Sequence, residues 1–178
     1  REVKVNTIYE KKNLRVKVDY DITVPEGLSL ELVRTVNGKI VISGKYDRAQ
    51  LKTTNGSVEA RGDFSWLDIS TTNGSIAVIG VKGKVDLRTT NGSIKAELHE
   101  LSADFRARTT NGSIRLALGH EADARLVART TNGSIRVEYP VTVEGTVSRR
   151  RLEGKLGQGG EITVSLETTN GSISLLKL

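Results

Sequence analysis

The hexapeptide T-T-N-G-S-[I/V] begins at Thr53, Thr71, Thr89, Thr109, Thr130 and Thr168, and a divergent T-V-N-G-K-I begins at Thr35. A unit this short cannot bury an apolar face alone, so a core must come from stacking each copy on the next. The asparagines Asn37, Asn55, Asn73, Asn91, Asn111, Asn132 and Asn170 are spaced 18, 18, 18, 20, 21 and 38 residues apart. The last interval is two periods long and predicts a rung that has lost its motif.

Apolar residues alternate on both sides of each asparagine. Val85, Leu87 and Thr89 precede Asn91, and Ile94 and Ala96 follow it. Period-two alternation is a strand signal, so each repeat holds two short strands. The phase breaks across Asn-Gly, which places a corner there. Glycine suits a corner because it takes positive φ freely, and asparagine tolerates the left-handed region. A second bend falls at Gly62, at Gly80 with Gly83, and at Gly119 in successive repeats.

Asn-Gly between alternating strands is also a hairpin signal, which makes an antiparallel meander or barrel the competing architecture. Two features favour a parallel coil. The longer repeats place their extra residues in one connection, at His99 to Ala103 and Gly119 to Ala124. The motif residues are also identical, as expected if Thr lies on Thr and Asn on Asn every 4.8 Å or so, with amide ladders along the axis. The prediction is an all-β, single-domain β-solenoid of about nine rungs, about 40 Å tall, with 18–21 residues per repeat. Residues 1–34 supply starting strands, 35–140 the regular rungs, and 141–178 an irregular basic rung and a final regular one. Alternation of Leu14, Val16, Val18, Tyr20, Ile22 and Val24 predicts a long first strand ended by Pro25 and Gly27.

The repeats, the opening D-I-T-V-P-E-G-L at Asp21 to Leu28 and the closing G-Q-G-G-E-I-T-V-S-L-E-T-T-N-G-S-I at Gly157 to Ile173 resemble a family of bacterial β-strand repeat domains of unknown function that bears the name adhesin. The resemblance covers nearly the whole chain. It implies a β-helical fold and envelope association, and it brings no catalytic residues. Fold alone does not fix function.

The absence of cysteine excludes disulfides, thiolate nucleophiles and zinc-thiolate sites. No apolar run approaches the length of a membrane span. The chain opens on Arg1 and contains no methionine, so any signal or anchor is expected to lie outside this sequence, and the envelope association that the resemblance implies gives the expectation of an extracytoplasmic or cell-surface bacterial protein. His99 and His120 fall in the insertion-bearing connections without ligands at metal spacing. Gly157-Gln158-Gly159-Gly160-Glu161 occurs once and lacks the aspartate of calcium-binding repeats. The serines Ser57, Ser75, Ser93, Ser113, Ser134 and Ser172 have no recurring base and are expected to satisfy corner backbone groups. Asp68 and Asp86 stack on adjacent rungs near Arg88, at about the 5 Å separation of a retaining glycosidase. A solvated face with no aromatic platform argues against that use. No catalytic residue, metal or cofactor is assigned, and the chain is expected not to be an enzyme.

Thr54, Thr72, Thr90, Thr110, Thr131 and Thr169 form one outward file. The next file, Lys52, Ser70, Arg88, Arg108, Arg129 and Glu167, is too charged for an ice-matching surface. Basic files are the better candidates. Arg88, Arg108 and Arg129 lie three residues before their asparagines, and Lys95, Arg115 and Arg136 four after, with Arg149, Arg150 and Arg151 in the irregular rung. Stacked like charges repel by about 1 kcal/mol per pair in bulk water, which a spanning anionic glycan or envelope polymer would relieve. Asp86, Glu97 and Glu138 stand ready to neutralise them instead. Without interleaved aromatics, specific nucleic-acid recognition is not expected. Finally, Ser172 to Leu178 reads as an uncapped strand edge, which predicts a homo-oligomer or filament built by end-to-end stacking.

Overall fold

The computed structural model describes residues 20–119, 122–143 and 147–178. Fourteen strands are present among them and no helix. In chain order they are β1 Leu30–Arg34, β2 Ile40–Lys52, β3 Val58–Ser70, β4 Ile76–Ile79, β5 Lys84–Asn91, β6 Ile94–Leu98, β7 Phe105–Asn111, β8 Ile114–Leu118, β9 Ala124–Asn132, β10 Ile135–Val137, β11 Val141–Val143, β12 Arg151–Leu156, β13 Thr163–Asn170 and β14 Ile173–Lys177. The fold is all-β and solenoid-like, as the repeat predicts.

Each regular repeat runs down one sheet, turns at Asn-Gly-Ser and runs back along a second. The leading sheet stacks β1, the second halves of β2 and β3, then β5, β7, β13 and β9, all parallel. The trailing sheet stacks the first halves of β2 and β3, then β4, β6, β8, β14 and β10, also parallel. Strands flanking an Asn-Gly never pair with each other, which rules out the hairpin alternative. Opposite the asparagine corner, β2 and β3 bend without interruption at Gly44 and Gly62, whose φ values are 129° and 116°. In later repeats this bend widens into the connections that hold the insertions.

Alternation sends one residue in two inward, and the inward residues of both sheets form a single core. Ile76, Ile94, Ile114 and Ile173 stack in register and are at most 1% exposed, with Ile135 half-buried beyond Ile173. Thr53, Thr71, Thr89, Thr109, Thr130 and Thr168, two residues before their asparagines, are buried as well, and each hydroxyl donates to a glycine carbonyl one rung away. Thr89 Oγ1 donates to Gly74 O at 2.9 Å and Thr109 Oγ1 to Gly92 O at 2.8 Å.

The stacking order differs from the chain order. Asparagine side chains form a file of seven, each Nδ2 donating to the Oδ1 of its neighbour at 2.7–2.8 Å, but the sequence of the file is 37, 55, 73, 91, 111, 170, 132. No rung is lost between Asn132 and Asn170. The chain skips a level after β8, builds β9 and β10, and returns to fill the vacated level with β13 and β14. In between, β12 runs antiparallel along β9 and β11 antiparallel along β12. The irregular basic segment is therefore an antiparallel cap and not a rung.

Two further expectations change. The final strand is not an open edge, because β14 is bonded to β8 on one side and β10 on the other; the basis for end-to-end stacking through it is gone. The long first strand from Leu14 lies mostly outside the described residues, and 20–29 contain no strand. Gly27, at φ 77°, makes a turn there and donates its N–H to Lys45 O.

The corner glycines also serve a different purpose from the one expected. None of those in Asn-Gly has positive φ. A Cβ on Gly56, Gly74, Gly92, Gly112, Gly171 or Gly133 would sit 1.9–2.0 Å from the carbonyl oxygen of the glycine one rung away. Glycine is there because the backbones pass too closely for a side chain.

Candidate binding face

The leading sheet presents its outward side chains in rows along the stacking axis. Three residues before the asparagines the row reads Arg34, Lys52, Ser70, Arg88, Arg108, Glu167, Arg129, with Arg151 of the cap beyond. The next row contains Gln50, Asp68, Asp86, Arg106, Ser165, Val127 and Glu153, and a third adds Arg48, Trp66, Lys84, Thr163, Arg125 and Lys155. Basic residues clearly outnumber acidic ones on this sheet. Outward positions of the trailing sheet are closer to balance, with Glu59, Glu97 and Glu138 set among Arg61, Lys95, Arg115 and Arg136.

An open groove of about 730 Å³ runs beside the first row, lined by Arg88, Arg108, Arg129, Arg150, Arg151 and Glu167 and by threonines that include Thr110, Thr131 and Thr169. These last three belong to the outward file and are exposed. The groove therefore offers guanidinium groups and hydroxyls at the inter-strand repeat.

The expected basic residues divide into two sets. Arg88, Arg108, Arg129, Arg150 and Arg151 share the groove. Lys95, Arg115 and Arg136 lie on the other sheet, with Ser174 between the last two. Arg149 sits in the turn before β12, where its carbonyl accepts the Ile135 N–H at 3.0 Å.

The expected run Arg88–Arg108–Arg129 is interrupted, because the inserted repeat brings Glu167 between the last two. Arg108 Nε bonds Glu167 Oε2 at 2.8 Å. Glu153 of the cap accepts from both Arg129 at 2.9 Å and Arg151 at 2.8 Å, and these partners hold its carboxyl below the ordinary range. Asp86 and Glu97 neutralise Arg88 and Lys95 as expected, at 2.6 and 2.7 Å. Glu153 was missed, and Glu167, although placed in the outward file, was not read as the partner of Arg108. Glu167 had a signal, since it is the acid in a file that is otherwise basic or neutral, whereas Glu153 meets Arg129 only through the antiparallel cap.

Asp68 and Asp86 are register partners on adjacent strands. Burial, then the Asp86 charge, pushes the Asp68 carboxyl up. Asp86 Oδ1 is buried and has no hydrogen-bond partner among the described residues, while Oδ2 pairs with Arg88. The expectation of no aromatic nearby is overturned. Trp66, two residues before Asp68, points outward from the same strand, and the Arg48 guanidinium lies 4.0 Å from its ring centroid.

His99 is exposed in the connection between β6 and β7, and His120 lies outside the described residues. The corner serines act on backbone: Ser93 Oγ accepts from Ser113 N and Ser113 Oγ from Ser172 N, both at 3.3 Å. The glycine-rich loop before β13 is held by Asp123, whose Oδ1 accepts from Gln158 N at 2.8 Å.

Compared with known proteins, residues 11–176 match the model of one family, described as Toastrack DUF4097. No curated protein and no solved structure matches the chain.

Proposed function

The chain belongs to the Toastrack DUF4097 family of bacterial β-repeat domains of unknown function, and from that premise we propose that it is a non-enzymatic adhesive module that binds an extended anionic polymer along its leading sheet. The observation behind this reading is the asymmetry of the two sheets. The groove on one aligns Arg88, Arg108, Arg129, Arg150 and Arg151 with a file of threonine hydroxyls and one acid, Glu167, while the outward positions of the other are nearer to charge balance.

Arginine's planar fork suits phosphate and carboxylate groups. The surface ion pairs within the groove are worth little in water and exchange readily for such an anion. Trp66 on the same face gives an aromatic surface of the kind sugar rings stack on, and one aromatic does not make the series that base stacking needs. An acidic polysaccharide or teichoic acid is therefore favoured over nucleic acid. Such polymers are displayed outside the cytoplasm, which is the location we propose.

The test is retention on immobilised heparin, teichoic acid and DNA at two salt concentrations, since counterion release makes polyanion binding fall steeply with salt. Reversing Arg88 and Arg150 to glutamate should cut retention and flatten the salt dependence, while reversing Arg115 and Arg136 on the trailing sheet should leave both nearly unchanged. Equal losses from the two pairs, or no retention of the unaltered protein at low salt, refute the proposal.

A further inference from the structure

In the chain, the repeat at 109–118 is followed by the one at 130–137, yet in the stack they are two levels apart, about 9.5 Å, with β13 and β14 between them. The rest of the molecule thus flanks a slot one rung high, a level that β13 and β14 fill. We propose that this slot is an exchange site between copies of this chain, in which the β13–β14 repeat of one molecule completes the stack of another.

Three observations support this. First, the inserted repeat is recognised through the same contacts that join every other pair of rungs. Asn170 Nδ2 donates to Asn111 Oδ1 at 2.7 Å, Asn132 Nδ2 to Asn170 Oδ1 at 2.8 Å, and Thr168 Oγ1 to Gly112 O at 2.8 Å. Nothing in this set requires that slot and repeat belong to one chain.

Second, the slot is selective. Its walls carry Arg108 and Arg129 at the outward position that Glu167 occupies, and of the seven repeats only this one has an acid there; the others have Arg34, Lys52, Ser70, Arg88, Arg108 and Arg129. Any other repeat would place a base or a serine between two arginines. The Arg108–Glu167 pair favours this segment at this level over a repeat that would place a base there.

Third, the connection to the inserted repeat is the glycine-rich loop in which Gly157 and Gly159 take φ values of 57° and 79°. Such a short hinge, once extended, carries the repeat away from its own stack. An exchanged dimer keeps every contact of the monomer, so the balance between them is set by concentration and by the entropy of association.

The chain contains no cysteine, which permits a direct test. Ser113 and Ser172 are neighbours across the slot, with Ser172 N 3.3 Å from Ser113 Oγ. Ser113→Cys in one copy and Ser172→Cys in a second, longer-tagged copy are unfolded together, refolded and oxidised. A disulfide joining the two variants in excess of collisional cross-linking requires that one molecule's repeat lie in the other's slot. The expected result is a mixed covalent dimer after refolding at high concentration that falls at least tenfold on hundredfold dilution. Pairing Ser172→Cys with Ser75→Cys, two rungs further away, should give no such dimer. Adding Glu167→Lys to the Ser172→Cys copy should reduce the mixed dimer several-fold. Failure to form the mixed dimer at any concentration overturns the proposal, and so does equal cross-linking through Ser75→Cys.

Discussion

Gly92→Ala and Gly38→Ala place the same methyl group at the same motif position and are expected to differ sharply. At Gly92 the new Cβ would lie 2.0 Å from Gly74 O, 2.5 Å from Gly74 C and 3.0 Å from Ser75 N, all backbone atoms that cannot rotate away. Relief to an ordinary contact of about 3.4 Å or more requires the two rungs to separate by more than about 1 Å, which lengthens hydrogen bonds of 2.8–3.0 Å past their useful range. The bonds at risk are Asn91 N to Thr72 O, Gly74 N to Asn91 O and Ile76 N to Ser93 O in the backbone, with Thr89 Oγ1 to Gly74 O beside them. Losing about three of these at a net 0.5–1.5 kcal/mol each gives a destabilisation of about 2–4 kcal/mol. For a chain of this size that is a fall in Tm of about 5–15 °C. At Gly38 the nearest atoms are Thr35 Oγ1 at 3.3 Å and Cγ2 at 3.7 Å, and no backbone is in the way. Alanine there should change stability by less than about 1 kcal/mol, helped by a less flexible unfolded chain. Thermal denaturation followed by circular dichroism compares the two. Equal midpoints would refute the argument that rung-to-rung clearance, and not backbone conformation, requires glycine in Asn-Gly.

Ile94→Ala removes the middle of a buried isoleucine ladder, with Ile76 and Ile114 on either side, and should cost about 2–5 kcal/mol in urea denaturation because the narrow core leaves a cavity; an unchanged midpoint contradicts that placement. Asp68→Asn should raise stability at neutral pH, since the folded-state carboxyl is shifted upward by burial and then by the Asp86 charge. A raised pKa means that the favourable contribution of the protonated group is complete below the ordinary carboxylate value and lost as pH rises through the folded one. The advantage of Asn over Asp should therefore shrink on acidification, and denaturation midpoints that differ equally at pH 7 and at pH 3 would contradict it.

The rung was legible from the sequence and the order of rungs was not. Alternation around Asn91, the buried threonine before it and the asparagine file follow from period and chemistry within one repeat, because side-chain direction along a strand is a local property. The neighbour of a given rung is not local. Thr109 to Ile114 offers the same edge to Thr130 to Ile135 as to Thr168 to Ile173, so nearest-neighbour pattern cannot choose between them. Tertiary structure makes the choice: β12 caps β9 antiparallel, and the return loop delivers Glu167 between Arg108 and Arg129. The same insertion interrupts the basic file, converts the missing rung into a cap and covers the strand that reads as an edge. Trp66 beside Asp68 was available to the period-two rule that placed the other outward residues. The reason for glycine at the corner was not, since the oxygen it must clear belongs to a different repeat, and only the distance between stacked backbones reveals it.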